Sequence, residues 1–189
     1  MTRSTKIFTG IFTSLLILFY FNWKSQKGLT VDGSPIFSGD NESIHRFLII
    51  DKKDSLELVK NDTIWTITKA DTLITKQNQI DNLYNRILAV KKEFIVSQNP
   101  NKWATYGVTD SLGKRFIYYD ENDKEIGDFI FGNEGQDYQH NYIRQYNDEN
   151  VFRSNDNVFF LLNTSPSYWG KKPVKTKPVQ LQPDTTTSG

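Results

Sequence analysis

Arg46-Phe47-Leu48-Ile49-Ile50, Leu56-Glu57-Leu58-Val59 and Thr63-Ile64-Trp65-Thr66-Ile67-Thr68 follow one another with only short polar breaks between them. The breaks are Asp51-Lys52-Lys53-Asp54 and the turn pair Asn61-Asp62. Short runs rich in β-branched and aromatic residues, separated by turn residues, read as an antiparallel meander. That reading sets the fold class, and the rest of the chain is placed around it.

Toward the C-terminus the period changes. Ile80, Leu83, Tyr84, Ile87, Leu88 and Ile95 recur at helical spacing and predict one long amphipathic helix packed on a sheet. Thr75 is the expected N-cap, with Asp81 in the first half and Lys91 and Lys92 toward the end, as the macrodipole favours. Asn99-Pro100 then predicts a short helical turn that ends at Gly107 in the left-handed conformation. Strands resume at Arg115-Phe116-Ile117-Tyr118-Tyr119 and Ile126-Gly127-Asp128-Phe129-Ile130-Phe131, joined by a hairpin over residues 120–125. Asn141–Tyr146 and Val151–Arg153 complete this second antiparallel segment. Residues 156–162 are expected to start a short helix capped by Ser154 or Asn155. The class is therefore α+β: a meander, one long helix, then a second antiparallel sheet segment.

Toward the N-terminus, Gly28, Gly33, Gly39 and Ser34-Pro35 break all periodicity, so residues 24–43 read as a flexible linker. Before it, residues 7–23 are seventeen residues without a charge, bounded by Lys6 and Lys24. As a helix this stretch is about 26 Å long, at the short end of what crosses a hydrocarbon core. Lys6 and Lys24 can snorkel to the interface, and Tyr20 and Trp23 suit the headgroup level. Phe21–Lys27 offers no small-residue pair for signal cleavage, and the chain has no cysteine for a lipid anchor. Residues 7–23 therefore read as a retained transmembrane anchor behind a cytoplasmic tail, 1–6. The basic residues flanking it tie, Arg3 and Lys6 against Lys24 and Lys27, and the terminal amine tips the N-terminus toward the cytoplasm.

Residues 44–169 form the domain, and residues 170–189, rich in Lys, Pro and Thr, are expected to be disordered. Thirteen Phe, nine Tyr and four Trp supply ample material for one core. The net charge of +1 hides a pattern: the two flanks carry +4 and +3, which leaves −6 on residues 28–169. An acidic body does not suit nucleic acid, which demands clustered basic residues.

The order of motifs carries a resemblance. Trp65 and Ala70-Asp71 close the meander; Tyr106-Gly107-Val108, Phe131-Gly132, Tyr142-Ile143-Arg144, Val151-Phe152 and Tyr168-Trp169-Gly170-Lys171 follow. This order resembles the bacterial family called domain of unknown function 4340, over about residues 44–172. The chain departs from it where Val108 and Phe152 stand in place of the commoner Leu and Tyr. The resemblance implies an N-terminal anchor in the inner membrane, an extracytoplasmic α+β domain, and association with ABC-type export or gliding-motility systems. It implies no catalytic residues.

The residues themselves point to no reaction. His45 and His140 have no histidine or cysteine at ligand spacing, so no metal, cofactor or Ser-His-acid set is expected. Asp120-Glu121-Asn122-Asp123 lacks the glycine and terminal glutamate of a calcium loop. Gly132-Asn133-Glu134-Gly135 lacks the lysine and following helix of a phosphate loop. Nothing selects a carboxylate pair for glycoside hydrolysis. Tyr142, Arg144 and Tyr146 alternate onto one strand face, where they either bind a glycan or partner or pack across strands. Trp103 and Trp169 read as core or domain-end anchors. The expectation is a non-enzymatic, membrane-tethered interaction domain with the bilayer and a membrane protein as partners; the alternative is an extracytoplasmic glycan- or peptide-binding module. Protease added to intact spheroplasts should digest the domain, and full protection would reverse the topology.

Overall fold

A computed structural model describes residues 3–27, 33–37, 39–135 and 137–173 of the chain. Helix α1 spans Arg3–Lys27. The body is built on strands β1 (Arg46–Asp51), β2 (Asp54–Asn61) and β3 (Ile64–Ile67), the meander that the opening runs predict. Lys52 and Asp62, at the two turns, have φ of 57° and 54°, the left-handed values that tight hairpins require. After the short β4 (Ile74–Thr75) comes α2 (Gln77–Asn82), which runs on as a π-helical turn, Leu83–Ile87. Then follow β5 (Lys92–Ser97), β6 (Lys114–Tyr119), β7 (Glu125–Glu134), β8 (Asn141–Gln145) and β9 (Val151–Ser154). The four-residue α3 (Pro166–Trp169) leads into β10 (Gly170–Lys171).

The fold is α+β, but its two strand-rich halves do not form separate segments. Eight strands make one antiparallel sheet in the order β3-β2-β1-β6-β7-β8-β9-β5. β1 joins the halves by pairing with β6, Phe47 opposite Tyr118 and Ile49 opposite Phe116. Period-two alternation then puts Phe47, Ile49, Leu56, Leu58, Ile67, Phe116, Tyr118, Phe129, Phe131 and Ile143 on one face, all buried. That face packs on Ile80, Leu83, Ile87 and Leu88 of the helical segment, with Leu161, Leu162 and Trp169. The opposite face is covered over β7–β9 by the loop after β5. Val108, Ile130 and Val151 form a second small core there, flanked by Trp103, Tyr106 and Tyr142.

The long helix does not form. Helical structure stops near Leu88, and Lys91, Lys92 and Ile95 lie outside it. Ile95 sits in β5 opposite Phe152. The apolar run Phe94-Ile95-Val96 fits either period, and pairing with β9 decides it. Thr75 is not the cap: Lys76 occupies that position, and the Thr75 hydroxyl donates to the Trp65 carbonyl at 2.6 Å. The turn over residues 159–161 likewise starts at Val158 without a side-chain cap. Ser154 and Asn155 serve elsewhere: Ser154 Oγ accepts from Asn141 N–H at 2.7 Å, and Asn155 Oδ1 accepts from Lys91 N–H at 2.6 Å.

Parts of the expected linker, 24–43, and tail, 170–189, take up regular structure. Residues 24–27 belong to α1. Pro35 bridges Lys91, Ile36 is buried, and Phe37 meets the Tyr118 ring edge-on at 5.3 Å. Gly170 and Lys171 pair with Thr75 and Ile74. Apolar side chains at 36 and 37, and open backbone groups on β4, outweigh a turn-rich local composition. Residues 28–32, 38 and 174–189 of those two segments lie outside the described residues.

The turn after β5 follows the sequence closely. Asn99 Oδ1 accepts from Asn101 N–H at 3.0 Å, Pro100 opens the turn, and Gly107 has φ of 67°. Residues 106–107 press against 132–133 there. A Cβ on Gly132 would overlap the Tyr106 carbonyl, and one on Gly107 would lie 3.1 Å from Asn133 N. Gly132→Ala and Gly107→Val should each cost about 1–3 kcal/mol. Thermal unfolding of the purified body checks this, and unchanged melting would contradict the close approach.

Candidate membrane anchor and surface sites

α1 has the geometry of a spanning helix. Its apolar stretch covers Ser4–Lys24, 21 residues with mean hydropathy 1.5, and none of it is buried within the protein. At ~1.5 Å per residue this is about 31 Å, the thickness of a hydrocarbon core. Adding flanking residues to the seventeen uncharged ones removes most of the mismatch read from the sequence. The mid-helix hydroxyls are satisfied internally: Thr9 Oγ1 donates to the Thr5 carbonyl at 2.9 Å and Thr13 Oγ1 to the Thr9 carbonyl at 2.8 Å. Polar groups in lipid need such partners.

On the body, the Tyr142–Arg144–Tyr146 row is not an exposed platform: Arg144 is buried, and Tyr142 and Tyr146 are half-buried. Arg144 is 3% exposed. Its Nε donates to the Val108 carbonyl at 3.2 Å, its Nη1 to the Tyr146 carbonyl, and the guanidinium lies 3.8 Å from the Trp103 ring centroid. Burial pulls its pKa down, opposed by Asp110 and other nearby charges. Tyr142 packs edge-on against Tyr106 at 4.8 Å. The row is cross-strand and loop packing that holds the 99–113 loop on the sheet. Beside it Arg115 Nε donates to the buried Asp128 at 2.9 Å, and that bond raises the arginine pKa. Trp103 caps this second core, and Trp169 is buried in the first, its Nε1 donating to the Asn163 carbonyl at 2.6 Å.

The remaining sequence candidates do not converge. His45 lies against the Ser43 carbonyl before β1. His140 Nδ1 is 2.8 Å from the Ser154 carbonyl and its Nε2 is 3.4 Å from Asp137. Asp120 uses its carboxylate on the backbone of its own hairpin, accepting from Asn122 and Lys124 N–H at 2.9 Å each. Asp123 pairs with Arg46 at 3.0 Å. No group of three or more metal-ligating side chains occurs among the described residues. Gly132 and Asn133 continue β7 rather than opening a helix. A cleft of about 500 Å³ is lined by Asp54 and Ser55 at the start of β2 and by the loop residues Lys69, Asn163 and Ser165.

A family model described as domain of unknown function (DUF4340) matches residues 65–185, from β3 past the end of the described chain. The chain belongs to the DUF4340 family. Neither the curated proteins nor the solved structures yield a match. The matched stretch starts at Trp65, yet in this DUF4340 chain β1 and β2 lie inside the same sheet, with β1 paired to β6. The folded unit is therefore larger than the match.

One central residue escapes sequence reasoning. Asn141 is fully buried; its Oδ1 accepts from Val158 and Phe159 N–H at 2.6 and 3.0 Å, and its Nδ2 donates to the Gly132 carbonyl at 3.3 Å. An asparagine at a strand start looks like turn chemistry, and nothing local shows that it serves backbone seventeen residues away. Arg144→Ala should lower stability by about 2–4 kcal/mol, because buried carbonyls lose their donor and Trp103 its cation. Denaturant titration measures this, and a neutral change would return Arg144 to the list of surface binding residues.

Proposed function

We propose that this DUF4340 chain is a single-pass, membrane-tethered, extracytoplasmic interaction domain without enzymatic activity, serving as an accessory subunit of an envelope complex such as an ABC-type export or gliding-motility-like system. The observation that carries the reading is α1. A helix of this length with every large apolar side chain exposed has no place to bury them except lipid or another membrane protein. The flanking basic residues tie, and what supports a cytoplasmic N-terminus and a body outside the inner membrane is the pattern that the family resemblance implies. A binding role is favoured over catalysis because His140, Asp120, Asp123 and Glu93 are engaged in turns and ion pairs at separate places. The burial of Arg144 weighs against the glycan-binding alternative, since the centre of the Tyr142–Arg144–Tyr146 row is engaged within the protein.

Affinity purification of the full chain in mild detergent should recover an ABC-type permease or its ATPase. Recovery of neither, with the chain intact in the membrane fraction, would overturn the accessory-subunit reading.

A further inference from the structure

We propose that the β5 edge of the body is a lipid-facing surface, held on anionic headgroups of the bilayer that α1 crosses. The proposal rests on α1 being a membrane span.

Chain continuity supplies the first argument. The polypeptide leaving α1 lands on β5: Lys92 N–H donates to the Ser34 carbonyl and Ile36 N–H to the Val90 carbonyl, both at 2.9 Å, with Pro35 between them opposite Lys91. Proline fits that position because it is a non-hydrogen-bonded pair and requires no N–H. Only six residues, 28–33, separate Lys27 from Ser34, so even fully extended they reach at most about 25 Å. A body of about 140 residues has a radius of gyration of about 14 Å and a diameter on the order of 37 Å. The tether is shorter than the body is wide. The β5 edge is therefore kept near the membrane, while β3, at the other end of the eight-stranded order, lies about 33 Å across the sheet.

Chemistry supplies the second argument. Residues 28–169 carry −6, so most of this body is repelled by an anionic surface. The start of the β5 edge runs the other way: Lys91 is exposed, Lys92 is half-buried with its ammonium 4.9 Å from the Phe152 ring centroid, and Arg153 lies beside Glu93 and Asp137. Arg153 Nε holds Glu93 at 2.7 Å, and its guanidinium lies 4.7 Å from the ring centroid of Phe94, which is 38% exposed. Lys91 is exposed, its backbone clamped by Asn155 through the Oδ1 contact at 2.6 Å and a bond from Asn155 N–H to the Lys91 carbonyl at 3.1 Å. Lysine and arginine beside an exposed aromatic ring match the phosphate and glycerol level of a bilayer. The occupant that fits both arguments is the headgroup layer.

The test uses the full chain, whose lack of cysteine permits clean single-site labelling. Ser97→Cys, at the end of β5, and Thr63→Cys, in the β2–β3 turn, each carry a fluorophore. The proteins are reconstituted in vesicles of phosphatidylcholine with or without phosphatidylglycerol, and a headgroup-labelled quencher lipid is added. Quenching at 97 should exceed that at 63 several-fold and rise with phosphatidylglycerol. Lys91→Glu should reduce the rise, whereas Lys53→Glu, at the distant β1–β2 turn, should leave it in place. Equal quenching at 97 and 63, or a rise indifferent to Lys91→Glu, overturns the proposal. Carbonate extraction separates the two readings: a chain released from the vesicles refutes the span, and a retained chain with equal quenching refutes the lipid-facing edge alone.

Discussion

Phe47 stacks on Phe116 at 5.6 Å because β1 pairs with β6, and the same ring lies 4.9 Å from Trp65 of the meander and 5.9 Å from Tyr84 of the helical segment. That pairing brings together two segments almost seventy residues apart and makes a single sheet of what would otherwise be two hairpin units. The apolar face so created is wide enough to bury the short helical segment and the C-terminal turns at once. Two hairpin units alone would each expose a hydrophobic face. The position of β5 at the sheet's edge, the docking of Ile36 and the seat of Trp169 all follow from this closure.

The other face of the sheet is held by polar chemistry. Arg144 and the Arg115–Asp128 pair sit where the loop after β5 returns over β7–β9. Each satisfies backbone groups or a charge that burial would otherwise leave without a partner, which is costly in a low-dielectric interior. Aromatic rings line the same layer: Arg115 lies 3.6 Å from the Tyr146 centroid, and Arg144 covers Trp103. Residues that resemble a binding surface when read along one strand are consumed in fastening a loop. Burial also pushes the Tyr84 phenol up to about 12 and the Tyr118 phenol up as well, so both rings act as neutral packing groups.

The anchor and the body meet through a short covalent path, and its brevity matters more than its composition. Once Ser34–Phe37 dock, the body is held close to the end of α1 instead of ranging over neighbouring proteins. With α1 in a bilayer, as proposed, the body would be kept near the membrane surface.

Much of this molecule was legible in the residues. The uncharged stretch at 7–23, the three β-branched runs of the meander, the Asn99-Pro100 start and Gly107 end of the turn, and the order of family motifs each depend on neighbours within a few positions. Local chemistry therefore determined the long apolar N-terminal helix, the α+β class and the positions of most strands. The fate of 88–97, the docking of 34–37, the strand at 170–171 and the inward turn of Arg144 were not legible. In each case the side chains and backbone suit two environments about equally, and the partner that decides lies far along the chain: Phe152 for Ile95, Val90 for Ile36, Thr75 for Gly170, Val108 for Arg144. Only the closed sheet puts those partners in place, because backbone hydrogen bonding and burial are satisfied through space and not along the sequence.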